Sequence, residues 1–256
     1  MDITLEQYIN NPQLKSNAVL NATAREAIRA NYKERFDALM VREKGIINYR
    51  AYYDAKRNRV FVHFKIPSET VERFYYDVVF EFFANSDVTS TENIFKYFVK
   101  FYSNDPAFVF TYAHSFLDNN LLIDELKSKM SRKAIKEKAD EKNPYNQIGY
   151  VKTIYFAYLY MQERGIGRFT ALTSGALTFS VSAIQSSVQN ADEKVENRIA
   201  AGDKLNKLKK AKERKERPVP QNATKMSTAI GMTKRTSTIN RQKNFTKTTK
   251  TTKRKK

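Results

Sequence analysis

The residues with the clearest chemistry are the lysines and arginines between positions 204 and 256. This stretch holds 19 Lys and Arg against two acidic residues, Glu213 and Glu216, whereas residues 1–203 hold 27 basic against 25 acidic residues. Charge at this density repels itself and cannot be buried unpaired, so the stretch must stay solvated or lie against a negative partner. Basic side chains at short intervals match the successive phosphates of a nucleic acid, whose counterions they release on binding.

The predicted nucleic-acid interface therefore lies in this basic stretch. Its only aromatic residue is Phe245, which favours contacts with the backbone of double-stranded DNA over base stacking, although the residues do not distinguish DNA from RNA. The alternative is a solvated tail that aids solubility or threads a protein assembly. The predicted interface residues are Lys207, Lys209, Lys210, Lys212, Arg214, Lys215, Arg217, Lys234, Arg235, Arg241, Lys243, Lys247, Lys250, Lys253, Arg254, Lys255 and Lys256.

The remaining chain offers little catalytic chemistry. It has no cysteine, which excludes disulfides, thiolate metal sites and a cysteine nucleophile, and its two histidines, His63 and His114, are far apart in sequence. Asp77 and Glu81 have helical i, i+4 spacing beside Arg73, so we interpret them as surface charges rather than an acid–base pair. The sequence thus predicts no catalytic, metal-binding or cofactor-binding residue and a non-enzymatic protein.

Neither a secretion signal nor a membrane span is predicted. The first residues, MDITLEQYINNPQLK, lack a basic start followed by an apolar segment. Charged residues interrupt every apolar run well before the ~18 residues that a spanning helix needs. We therefore expect a protein without membrane partners.

Two elements are predicted near the start of the chain. Apolar residues spaced by three or four predict an amphipathic helix over residues 16–44, ended by Gly45. Residues 46–66 contain two runs rich in Val, Ile, Tyr and Phe around a polar link, and the second run alternates apolar and polar residues. This pattern predicts a β-hairpin.

The middle of the chain is predicted to be helical. Apolar spacing and length favour a helix over residues 69–84, although FYYDVVFEFF also fits a strand. Thr89 and Glu92 form a T-x-x-E capping box before a further helix that includes Phe101. Helices are also expected after Asp105 and over residues 147–163. We interpret the aromatic residues of this region as core, with a base-stacking surface as the less favoured alternative.

Residues 169–217 have the pattern of one long helix. No proline interrupts them, and apolar residues step by four and three to form a heptad-like seam for contact with a partner. A strand within residues 170–190 is the alternative, because Thr, Phe, Val and Ser are common there. The seam residues named for this contact are Leu177, Val181, Ile184, Val188 and Val195.

These elements define a mainly α fold with three parts. Residues 1–168 are expected to form a mostly helical body that contains the hairpin, and residues 169–217 a long C-terminal helix. Residues 218–256 carry no acidic residue and few apolar ones, so they cannot offset their ordering entropy by burial and are expected to form an extended basic tail.

This layout resembles the adaptor or ring proteins of the head-to-tail connector in tailed double-stranded DNA phages. The segments FYSNDPAFVFTYAHSF and NPYNQIGYVKTIYFAYLYM, within residues 101–161, are also similar in style to virion-associated phage proteins. The resemblance lies in the plan of the chain and not in a diagnostic motif. The hairpin departs from the all-helical adaptor pattern, and no functional residue is carried over.

The resemblance implies a structural subunit of the phage neck, assembled as a homo-oligomeric ring next to the portal. The seam from Leu177 to Val195 would then be a contact with another subunit or with the portal. Its basic arm would contact DNA or neighbouring virion proteins, and it would pass through the host cytoplasm during assembly. Three alternatives remain open: a stand-alone basic nucleic-acid-binding protein of replication or ribosomes, an enzyme acting on nucleic acid, and a scaffold whose arm contacts acidic proteins.

Overall fold

Five strands organise the part of the chain that the structure describes. The computed structural model covers residues 2–10, 22–84, 92–139, 141–143 and 146–216, and among them the side chains of 22–25, 205 and 208–216 are left aside. Residues 1–211 form one unit and residues 212–256 a second. The strands are β1 (Asn48–Asp54), β2 (Arg59–Pro67), β3 (Tyr75–Phe83), β4 (Phe98–Ser103) and β5 (Leu177–Thr178).

The strands form one mixed sheet in the order β4-β3-β2-β1-β5. Neighbours from β4 to β1 are antiparallel, and the two-residue β5 runs parallel to β1. The alternation of apolar and polar residues in β2, with both flanks paired, fixes its register against β1 and β3. Asp77 of β3 consequently lies opposite Lys65 of β2.

Helices lie before β1, between β4 and β5, and after β5. In the described residues these are α1 (Leu5–Asn10), α2 (Ala22–Arg42), α3 (Ala113–Asp118), α4 (Arg132–Lys136), α5 (Lys152–Glu163), α6 (Phe169–Ser174), α7 (Val181–Ser187) and α8 (Ala191–Glu216). Short 3-10 segments cover Ile94–Lys96 and Asp124–Lys129, and a π-helical turn covers Phe108–Tyr112. No helix of the described part is both long and apolar enough to cross a membrane.

One face of the sheet is apolar and forms the main core. Val60, Val62, Phe64 and Ile66 alternate along β2 and are fully buried. Helices α2 and α5 pack together on this side, with the rings of Phe36 and Phe156 5.6 Å apart. Apolar area removed from water here is the main stabilising contribution to the fold. The aromatic residues predicted as core are largely buried, which supports that interpretation over a base-stacking surface.

The opposite face of the sheet carries charged side chains that are also covered. The 3-10 segment Asp124–Lys129 and α7 lie over it and are tied together, because Gln185 Nε2 donates to the carbonyl of Glu125 at 2.8 Å. The ring of Phe179, just before α7, stacks on Phe61 of β2 with centroids 4.5 Å apart. Four polar or charged residues of this face, Arg59, His63, Asp77 and Glu81, are therefore buried, whereas Lys65 is partly exposed and Arg50 is exposed.

The predicted mainly α fold is wrong, because the structure is a mixed α/β fold built on this sheet. Residues 69–84 were predicted to be helical, and they contain β3. Tyr76, Val78, Phe80 and Phe82 alternate on its apolar face, and pairing to β2 and β4 satisfies the backbone. The same letters fit both a helical stripe and a strand buried on two faces, and length alone does not decide between them.

The predicted helix after the capping box is also wrong. Thr89 lies outside the described residues, and the Glu92 carboxylate accepts hydrogen bonds from the Thr170 N–H at 3.2 Å and its hydroxyl at 2.6 Å. The chain then forms the short 3-10 segment and β4. Phe101 pairs with Phe80 of β3, so tertiary pairing overrides the helical spacing.

The single long helix over residues 169–217 is replaced by α6, β5, α7 and α8. Gly175 follows the end of α6, and Ser180 begins α7 by accepting the Ala183 N–H at 3.1 Å. Asn190 accepts the Asp192 N–H at 2.9 Å at the start of α8. Small polar side chains that bond to the backbone favour such breaks over a continuous helix. Of the strand predicted as the alternative within residues 170–190, the structure contains only the two residues of β5.

The remaining element predictions agree with the structure where it describes them, except that the helix predicted over residues 147–163 begins at Lys152. The hairpin of residues 46–66 is confirmed as β1 and β2, and helices are confirmed at α2, at residues 106–118 and at α5. The predicted extended tail of residues 218–256 lies outside the described residues.

Candidate functional site

The predicted nucleic-acid interface begins on α8. Six of its named residues, Lys207, Lys209, Lys210, Lys212, Arg214 and Lys215, belong to this helix, and those from Arg217 onward lie outside the described residues. Lys204 and Lys207 are exposed. Basic residues recur every one to three positions of the sequence from 204 to 215.

The predicted seam does not form one stripe. Leu177 lies in β5 and Val181 begins α7, and both are exposed, whereas Ile184 and Val188 are buried in the core of the same chain. Val195 is half-buried on α8. The five residues belong to different elements, because the chain breaks after α6 and again before α8. Only Leu177 and Val181 offer an apolar surface to another molecule.

Asp77 is the centre of a buried ionic network on the charged face of the sheet. Its Oδ1 accepts from His63 Nε2 at 2.8 Å and from Lys65 Nζ, and its Oδ2 accepts from Asn104 Nδ2 at 2.7 Å and the Gln189 N–H at 3.1 Å. Burial acts to raise the pKa of this carboxyl group, but the hydrogen bonds and charges of His63 and Lys65 outweigh burial and lower it to about 2. Asp77 is therefore ionised at neutral pH.

Arg59 forms a second network further along the same face. Its Nε bonds Asp54 at 3.0 Å, its Nη1 bonds Glu81 at 2.6 Å, and its Nη2 lies 2.7 Å from Glu125. The guanidinium also lies 5.0 Å from the ring centroid of Phe61. Three carboxylates thus share one buried cation, and the second oxygens of Glu81 and Glu125 have no hydrogen-bond partner in the described residues.

The excess of carboxylates over cations in this network affects the pKa of Glu81. Burial and the neighbouring charge of Glu125 raise the pKa of Glu81, and the attraction of Arg59 only partly opposes them. Phe61 and Phe179 pack against the Arg59 guanidinium, and a cavity of about 540 Å³ reaches the network at Asp54 and Arg59. We interpret the network as a structural connection between the sheet and the segment Asp124–Lys129.

A cavity of about 490 Å³ opens beside the Asp77 network. We call it the cationic cavity, and it is lined by Asn48, Tyr49, Arg50, His63, Lys65 and Ser187. Register explains its composition, since Asn48 lies opposite Lys65 and Arg50 opposite His63 on one face of the hairpin. The lining contains no acidic residue, so its side chains can donate hydrogen bonds to a negatively charged ligand.

The sequence prediction missed the cationic cavity and the buried role of Asp77 and Glu81. Both acids were assigned to the surface of a helix, whereas Asp77 is fully buried and Glu81 is 4% exposed. The available signal was the alternation of Arg59, His63 and Lys65 with apolar residues in β2, which places them on one face. The acids that face them come from β3, and cross-strand register is not readable from that local pattern.

Among the described residues, no group of three or more His, Asp or Glu side chains is placed to hold a metal ion. His114 instead lies 3.1 Å from Asp118 through Nδ1, on α3. Comparison of the chain with protein-family models, with curated proteins and with solved structures finds no match. The functional argument therefore rests on the residues and contacts described above.

Proposed function

We propose that this protein binds double-stranded nucleic acid through the basic residues between 204 and 256, in a non-enzymatic role. The observation that carries the proposal is the separation of charge: 19 basic and two acidic residues in this stretch, against 27 and 25 in residues 1–203. Lys and Arg that neutralise phosphates release counterions, and this contribution does not depend on base sequence. The partner is recognised through its backbone.

The basic part of α8 supports this proposal. Five basic residues and no acidic residue occur from Lys204 to Lys212, and Lys204 and Lys207 are exposed. These five basic residues outnumber the apolar residues of the same stretch, Leu205, Leu208 and Ala211. Such a helix is stabilised by a polyanion that reduces the repulsion between its charges.

A place in the head-to-tail connector of a tailed DNA phage is a narrower form of the proposal. It adds virion partner proteins, a ring of identical subunits and a location in the virion. The resemblance behind it implied a helical body, and the five-stranded sheet removes that support. Nucleic-acid binding rests on the charge distribution alone and is equally compatible with a monomer.

The experiment compares two full-length variants that lose the same charge. In the first, Lys234, Arg235, Arg241 and Lys243 are changed to Gln, and in the control the exposed residues Lys44, Lys56, Arg57 and Lys96 are changed to Gln. Fluorescence anisotropy measures affinity for a 25-base-pair duplex and for a second duplex of scrambled sequence. We expect at least about tenfold weaker binding in the first variant and little change in the control, with the two duplexes equal.

Equal affinity in the two variants, or a larger loss in the control, would contradict the proposal. Circular dichroism of both variants checks that the described fold is retained. A basic segment that serves only solubility predicts no saturable binding to either duplex.

A further inference from the structure

The cationic cavity has an excess of positive charge that the described residues do not neutralise. Arg50 and Lys65 both line it, and Asp77 behind it is shared between Lys65 and His63. Arg50 is exposed, and its side chain makes no hydrogen bond or ion pair in the described part of the chain. Like charges on neighbouring positions of paired strands repel each other, so an anion in the cavity stabilises this arrangement.

Two polar side chains of the cavity, His63 and Lys65, are held in place before any ligand arrives. His63 is 4% exposed and is fixed through Nε2 by the fully buried Asp77. Lys65 is fixed by the same carboxylate and by the carbonyl of Ser187 at 3.3 Å. Asn104 and the Gln189 N–H hold the other oxygen of Asp77. A rigid set of donors loses little conformational entropy when it binds a ligand.

We propose that the cationic cavity is a binding site for a small phosphate-bearing molecule. Its volume of about 490 Å³ is in the usual range for small-molecule sites and its concave shape does not fit a duplex. Arg50 supplies the planar donor fork that suits phosphate, and Lys65 supplies a compact charge. The ring of Tyr49 packs on Phe64 and Tyr160 on the apolar side of the sheet, so the site binds the phosphate group and not a base.

This site lies on the hairpin and not on the basic stretch of residues 204–256. It is therefore separate from the proposed nucleic-acid interface, and either proposal can fail while the other holds. Asn48 and His63 complete the set of polar groups around the ligand. We expect contacts from Arg50 to contribute most, because it has no competing partner among the residues that the structure describes.

The two histidines allow the site to be tested in the full-length protein. His63 lines the cavity and His114 lies on α3, so the ring signals of His114 in proton NMR serve as an internal reference. The protein is titrated at fixed pH 7 with inorganic phosphate, with AMP, and with a 25-base-pair duplex, against sodium chloride of equal ionic strength. His63→Gln assigns the signal.

We expect a saturable shift of the His63 signal with phosphate and with AMP, and none in the His114 signal. Arg50→Gln should weaken this binding about tenfold, the loss of one charge-assisted contact, whereas Arg57→Gln at the hairpin turn removes the same charge and should leave it unchanged. Equal binding by the two variants, equal shifts of both histidines, or a shift produced only by the duplex would overturn the proposal.

Discussion

Asp77 and Glu81 lie on the same face of β3, on either side of Val79, and their carboxyl groups are shifted in opposite directions. Asp77 accepts hydrogen bonds from four donors on two oxygens, which overcome the effect of burial and lower its pKa to about 2. Glu81 gives one oxygen to Arg59, while burial and Glu125 raise its pKa. Burial acts to raise the pKa of both carboxyl groups; at Asp77 it is outweighed by His63 and Lys65, whereas at Glu81 the charge of Glu125 adds to it.

The Asp77 network should stabilise the fold only above the acid range. Because the folded pKa of about 2 is below the ordinary value of about 3.9, this contribution is complete above about pH 5 and is lost as pH falls toward 2. Its size is about 2–3 kcal/mol of unfolding free energy. Urea unfolding at pH 6, 4 and 2.5 should show that the deficit of Asp77→Asn relative to wild type shrinks on acidification. A deficit that stays constant with pH would contradict this assignment.

Glu81 should show the reverse dependence. Its raised pKa means that its favourable contribution is present below about pH 4 and is lost as pH rises through the folded value. Glu81→Gln keeps an oxygen acceptor for Arg59 and removes the buried charge, so the unfolding free energy at pH 7 should stay within about 1 kcal/mol of wild type or increase. The comparison is Arg59→Gln, which leaves three carboxylates unpaired and should cost about 3 kcal/mol or more.

Comparison of Glu81→Gln with Arg59→Gln therefore separates the contribution of the Glu81 charge to stability from that of the Arg59 cation. If Glu81→Gln proved as damaging as Arg59→Gln in urea unfolding at pH 7, the carboxylate charge of Glu81 would be needed for stability, contrary to its raised pKa.

Substitutions of Ile184 and Val181 test whether α7 packs in the core of its own chain or contacts another subunit. Ile184 is fully buried and Val181 is 46% exposed, although both were assigned to the same seam. Ile184→Ala should lower the unfolding free energy by about 2–5 kcal/mol, whereas Val181→Ala should change it by no more than about 0.5 kcal/mol. Unfolding by urea and mass by light scattering are measured together. A change in mass without loss of stability in Ile184→Ala would restore the seam as an interface.

The sequence correctly predicts the elements whose residue pattern fits only one type of secondary structure. The hairpin follows from alternation around a short polar link, and α2 and α5 follow from apolar spacing over a dozen or more residues. The core role of most aromatic residues is also predictable, because they are too numerous for a solvated surface.

The rest of the fold and the cationic cavity depend on contacts between residues that are distant in sequence. The run from Tyr75 to Phe83 fits a helix equally well until β2 and β4 are placed beside it. The cationic cavity requires the β1–β2 register together with Ser187, which lies more than 120 residues away. Residues 169–217 keep a heptad-like spacing, yet local caps at Ser180 and Asn190 divide them. The local spacing of apolar and polar residues therefore does not reveal these features.

The salt dependence of duplex binding tests the central claim most directly. The affinity of the full-length protein for a 25-base-pair duplex is measured between 50 and 300 mM NaCl. Binding through many lysines and arginines predicts a slope of log affinity against log salt steeper than about −5, because each neutralised phosphate contributes about −0.9. A slope near zero, or no saturable binding at 50 mM NaCl, would contradict a polycationic nucleic-acid interface.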